Sequence, residues 1–114
     1  SLLKSSSFSD NAKVVIISSL RGSIARNTGG GMYGYSMSKA AANAAGKSLA
    51  IDMAPLGIAV GIFHPGYVQT DMTGGKGDVS PEVSAGSIVQ RIDELQVSNA
   101  GRFIDAVTGI EIPW

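Results

Sequence analysis

Lys13-Val14-Val15-Ile16-Ile17-Ser18 is the stretch that decides the fold. A continuous β-branched run without polar alternation marks a strand covered on both faces, as strands of parallel sheets are. The run predicts a central parallel strand. A second run, Ile58-Ala59-Val60-Gly61-Ile62-Phe63, comes after an alanine-rich segment expected to be helical over about 32–53. That helix should stop at Ala54-Pro55-Leu56-Gly57, a breaker cluster. Strand, loop, helix and strand in this order form a β-loop-α-β unit, so the class is α/β with a parallel sheet.

Before the first run lie a polar, serine-rich connector, Ser5 to Asn11, and Ser1-Leu2-Leu3-Lys4, which reads as a chain entered partway through a helix. After the second run, His64-Pro65-Gly66 ends the strand and residues 67–77 form a polar, glycine-containing loop. Ser80-Pro81-Glu82 is a helix start, with a capping serine, proline at the first helical position and an acid in the first turn. Val83, Ile88, Val89, Ile92 and Leu95 recur at mostly helical spacing behind it. Arg102 to Asp105 and Ile110 to Ile112 read as short strands about Thr108-Gly109.

At 114 residues the chain is at most one domain. Nine basic and nine acidic residues give zero net charge and are scattered, so no footprint for nucleic acid or an anionic membrane is expected. There is no cysteine, which excludes disulfides and thiolate metal sites and fits a reducing, cytoplasmic location. No apolar run reaches the length of about 18 residues that a membrane span needs.

Tyr35 and Lys39 stand four residues apart at the start of the first helix, so both project from one face. A neighbouring ammonium favours a phenolate and makes a tyrosine usable as a general acid or base. The other tyrosines lack such a pair, since Met37 follows Tyr33 and Asp71 follows Tyr67 at this spacing. Alone, the pair reads better as a tyrosine packed on the stem of a surface lysine. Context strengthens it. Ligands of open α/β sheets sit at the carboxyl ends of parallel strands, where Ser19, Tyr35, Lys39 and the Pro65 to Thr70 loop should converge.

Three other features carry less. Gly29-Gly30-Gly31-Met32-Tyr33-Gly34 copies a dinucleotide fingerprint, but Ser19 to Thr28 separates it from the strand end where a pyrophosphate would sit. His64 is the single histidine, so a metal site is not expected and a strand-end structural role is the better reading. Ala42, Gly46 and Ala50 form a small-residue stripe that suits either helix-on-sheet packing or a subunit contact.

Ile17-Ser18-Ser19, Tyr35-Ser36-Met37-Ser38-Lys39-Ala40-Ala41 and Pro65-Gly66-Tyr67-Val68-Gln69-Thr70, in this order, resemble the short-chain dehydrogenase/reductase family. Gly22-Ser23-Ile24, Asn27, Gly30-Gly31, Asn43, His64-Pro65-Gly66, Thr70-Asp71-Met72 and Ile112-Pro113-Trp114 are similar to its C-factor-like and sniffer-like carbonyl reductases. The resemblance covers essentially all of residues 1–114 but matches the carboxyl-terminal, catalytic half of the family's domain. It implies the carboxyl-terminal part of a doubly wound, parallel-sheet Rossmann fold, with the dinucleotide-binding half upstream of Ser1.

The implied activity is hydride transfer between NAD or NADP and a small carbonyl or alcohol substrate. Tyr35 would be the acid/base and Lys39 its support and a ligand of the nicotinamide ribose. Ser19, rather than its neighbour Ser18, would bind the substrate oxygen. Pro65, Gly66, the backbone at Val68, and Thr70 would hold the nicotinamide carboxamide. The resemblance also implies a homo-oligomer for the full-length form and an inactive isolated half. The Ser19 to Tyr35 interval is longer than the family's commonest spacing, as in its sniffer-like members. A rival expectation is a non-catalytic, dehydrogenase-like module that self-associates through the small-residue helix and Pro113-Trp114.

Overall fold

A computed structural model describes residues 12–69, 74–75 and 77–114. The β-branched runs become strands β1 (Lys13–Ile17) and β2 (Ala59–His64), which pair in parallel, with Val14 opposite Val60 and Ile16 opposite Ile62. β3 (Phe103–Asp105) lies parallel on the far side of β2, giving the order β1-β2-β3. Two helices connect them, α1 (Tyr33–Met53) and α2 (Pro81–Glu94).

α1 lies on one face of the sheet along its small-residue stripe. A methyl group placed on Gly46 would come within 2.8 Å of the Ile62 side chain and 3.0 Å of the Ile16 side chain. The stripe therefore serves helix-on-sheet packing, the first of its two expected uses. Ala50, Met53, Ile58 and Val60 form one core cluster there, with Ala12, Val14 and Leu49 against it. Ile62, Phe103 and Ile112 form a second, with Leu20 packed on it. That second cluster fixes the floor of the site described below.

α2 begins as its sequence dictates, with the Ser80 hydroxyl accepting from the Val83 N–H at 3.2 Å and Pro81 in the first turn. Its inward side carries Ile88, Ile92 and Leu95 at helical spacing. Val83 and Val89 are exposed, while Ser84 is buried and donates its hydroxyl to the Pro65 carbonyl at 2.8 Å. A polar anchor to the loop after β2, rather than apolar spacing alone, sets the rotation of this helix. Lys13 reaches across from β1 to donate to the Ile92 carbonyl at 2.6 Å, satisfying the carboxyl end of α2.

β1 was expected at the centre of its sheet. Among the described residues it pairs on one side only and is half-buried, with Ile17 44% exposed. Its composition suits more cover than the described residues supply.

After β3 the chain turns tightly. The Asp105 carboxylate accepts from the Val107 and Thr108 N–H groups at 2.9 and 3.2 Å, and Gly109 takes a left-handed φ of 75°. The chain then returns antiparallel, Ile104 opposite Glu111, which confirms the expected reversal about Thr108-Gly109. Trp114 ends up stacked on Phe103, ring centroids 5.9 Å apart and planes 14° from parallel.

Candidate active site

Because β1 and β2 are parallel, the segments that leave their carboxyl ends emerge side by side. Ser18 still donates its N–H to the Phe63 carbonyl at 2.8 Å, one step beyond the last strand residue. Ser19 then caps a short 3-10 turn, Leu20–Gly22, its hydroxyl accepting from the Arg21 N–H at 3.2 Å. The turn rests directly on α1. A methyl group on Gly22 would stand 2.7 Å from Asn43 Nδ2 and 3.0 Å from the Lys39 carbonyl, so the approach requires glycine.

On α1, the Lys39 ammonium lies 5.7 Å from the centroid of the Tyr35 ring, within cation–π range. Tyr35 is 43% exposed, so the phenol is open to a ligand. The backbone that enters the helix is left-handed at Gly30, Gly31 and Met32, freely so at the glycines but strained at Met32, whose φ is 50° and whose side chain offers no cap. The structure thus brings Tyr35 and Lys39 together and sets the Ser19 turn against the same helix. No hydrogen bond joins the Ser19 hydroxyl to Tyr35 or Lys39 among the described residues.

Ser18, the other member of the doublet, is buried, and its hydroxyl has no hydrogen-bond partner among the described residues. The Asn43 amide is likewise buried and unpartnered at both ends, two turns of α1 beyond Tyr35. Sequence reasoning gave Asn43 no role, and a polar residue in an alanine-rich helix was the available signal.

The second loop is held from two sides. The Pro65 carbonyl accepts from Ser84, and Gly66 has φ of 91°, with a methyl group there reaching 3.1 Å from both Val79 and Val107. Val68 forms a parallel bridge with Val79, and the Gln69 N–H donates to the Val79 carbonyl at 2.9 Å. Thr70 lies outside the described residues.

His64 sits between the two loops. Its Nδ1 accepts from the Leu20 N–H at 3.0 Å, across 44 residues of chain, and its carbonyl accepts from the Ala106 N–H at 2.9 Å. Burial holds its imidazole below the ordinary histidine value of 6.5, with the Asp105 carboxylate opposing the shift.

The other end of the Ser19 turn is tied to the tail. Ser23 donates its hydroxyl to the Pro113 carbonyl, and the Ile24 N–H donates to the Trp114 carbonyl. Nothing in the sequence signals these contacts, because the partners stand some 90 positions apart.

A phenol, an ammonium and a nearby serine turn suit the ribose and nicotinamide end of a dinucleotide. The described residues supply no strand-linked glycine turn for its pyrophosphate. Gly29, Gly30 and Gly31 face open space, and Asp52 is exposed within α1. Among the described residues no group of three or more metal-ligating side chains gathers.

The short chain dehydrogenase family matches residues 2–80. The chain is 42% identical to C-signal of Myxococcus xanthus over 102 residues, covering 90% of this chain and 61% of that protein. Among solved structures, the carbonyl reductase Sniffer of D. melanogaster superposes with a TM-score of 0.85 at 43% identity, over 90% of this chain and 41% of that one. The NADPH-bound carbonyl reductase from chicken fatty liver gives 0.81 at 30% identity, over 90% and 43%. The chain spans about half the length of the curated relatives it matches. With a Rossmann-type parallel sheet and a match over most of its residues, the chain belongs to the short chain dehydrogenase family.

Proposed function

We propose that the full-length protein is an NAD(P)-dependent oxidoreductase that interconverts a small carbonyl compound and its alcohol, with Tyr35 as acid/base. The observation that carries this reading is the Lys39 ammonium held 5.7 Å from the ring of a solvent-open Tyr35, on the helix against which the Ser19 turn packs. Tyr35 gives its phenolic proton to the substrate oxygen during reduction and takes it back during oxidation. Lys39 supplies a donor for ribose hydroxyls and a cation beside the phenol. Ser19 turns its hydroxyl from its own backbone to the substrate oxygen, where polar stabilisation counts as charge develops. Pro65, Gly66 and the Val68 backbone form the wall against the carboxamide, and the family resemblance assigns Thr70 to the same group. A bound nicotinamide supplies or accepts the hydride.

Replacing Tyr35 with Phe in the full-length protein should lower kcat by about 10²-fold or more while leaving folding and assembly unchanged. Turnover at the unmodified rate would overturn the reading. A second reading, a self-associating module without catalysis, draws on the exposed apolar side chains Tyr33, Met37 and Ile51 of α1. Under it Tyr35→Phe changes nothing, whereas Met37→Glu with Ile51→Glu dissolves the assembly. If both substitutions act, the protein is a self-associating reductase and the non-catalytic reading falls.

A further inference from the structure

We propose that His64 is a positioning residue for the reaction, its ring holding the turn that presents Ser19; the proposal rests on the catalytic reading of Ser19 given above. Three segments of the site meet at this one residue. Its Nδ1 accepts from the Leu20 N–H at 3.0 Å, on the residue after Ser19. Its carbonyl accepts from the Ala106 N–H at 2.9 Å, fixing the turn beyond β3. Its own carboxyl side continues directly into Pro65-Gly66, the wall assigned to the nicotinamide. A serine turn and a cofactor wall that belong to different strands are thereby set against each other through a single side chain.

The chemistry demands a neutral ring of one tautomer. A nitrogen that accepts from an N–H is itself unprotonated, so Nδ1 is bare and the ring proton resides on Nε2. Backbone amides of short 3-10 turns are left without intrahelical partners, and here the ring fills that need for Leu20. Without it, the turn would keep the Gly22 N–H bond to the Ser19 carbonyl at 2.8 Å and the packing of Leu20 on the second core cluster, but the Leu20 amide would lose its partner and the hold on the residue next to Ser19 would loosen.

The experiment uses the full-length protein. In the unmodified protein near neutral pH, nitrogen NMR of the His64 imidazole should show a bare Nδ1 and a protonated Nε2. The opposite tautomer overturns the proposal and needs no variant. Among variants, His64→Leu removes the acceptor, whereas His64→Asn places an amide oxygen near the position of Nδ1. His64→Leu should speed hydrogen exchange at the Leu20 amide and lower kcat, each by about tenfold, the loss expected for one hydrogen bond, with cofactor KM unchanged. His64→Asn should restore both.

A His64→Leu protein that keeps Leu20 protected, or a loss that His64→Asn does not rescue, overturns the proposal. If the unmodified protein has no dehydrogenase activity, the reading of the site falls. The tautomer and exchange results still decide whether His64 holds the turn.

Discussion

Gly22 and His64 grip the serine turn from two sides, and each gives a measurable consequence. A methyl group at Gly22 would enter the space of Asn43 Nδ2 and of the Lys39 carbonyl, a rigid helix backbone. Gly22→Ala should therefore displace the turn, costing about 1–3 kcal/mol by overpacking, and cut turnover of the full-length enzyme. Urea titration and steady-state kinetics on the one variant check both.

His64 gives a pH signature. Asp105 faces it from β3, while Arg21 is directed to the Gly30 carbonyl and Lys39 to the Tyr35 ring. Burial makes the folded state bind the imidazole proton less readily than the unfolded chain, so stability from this group is full above 6.5 and declines as pH falls from there toward the lowered folded value. Denaturation midpoints of the full-length protein should fall between about pH 7.5 and about pH 5.5, and fall less in His64→Asn. The tyrosine–lysine pair was legible because helical spacing alone puts positions four apart on one face. The role of His64 was not, since its partner is brought to it by the fold.

Among elements, the ones read most closely from sequence are those governed by local chemistry. The α2 start was legible because Ser80, Pro81 and Glu82 act within a single turn, and β2 because an apolar run between breakers leaves little choice. On α2, Ile88, Ile92 and Leu95 follow the helical spacing inward, Ser84 joins them through its hydrogen bond to the Pro65 carbonyl, and Val83 and Val89 stay exposed. For α1, the contact of Gly46 with Ile16 and Ile62 separates two opposed effects. Gly46→Ala gains about 1 kcal/mol of helix propensity but crowds Cγ1 and Cδ1 of the fully buried Ile62 and the Cδ1 tip of Ile16, so overpacking should outweigh the gain and lower stability by about 1 kcal/mol. Gly46→Leu adds volume that those tips cannot absorb and should lower stability by about 2 kcal/mol or more, read from denaturant midpoints of the full-length protein.

At the scale of the whole molecule, the described strands form a sheet whose first member is paired on one side, and the described residues supply no strand-linked glycine turn for a pyrophosphate. Expressed as these 114 residues alone, the chain should neither bind NADPH tightly nor turn over, and should self-associate through β1. Calorimetry with NADPH and light scattering of the isolated chain test this, and full activity would refute it. The parallel class was evident from two apolar runs and a helix, but the depth of cover on β1 depends on neighbours that composition does not specify.

Trp114 is the single indole in these residues, lies flat on Phe103 and bonds through its carbonyl to the segment following the serine turn. The molecule therefore carries a built-in optical probe of the loop that begins at Ser19. In a full-length background cleared of other tryptophans, a shift in emission maximum on adding ligand would report motion of that loop without any label.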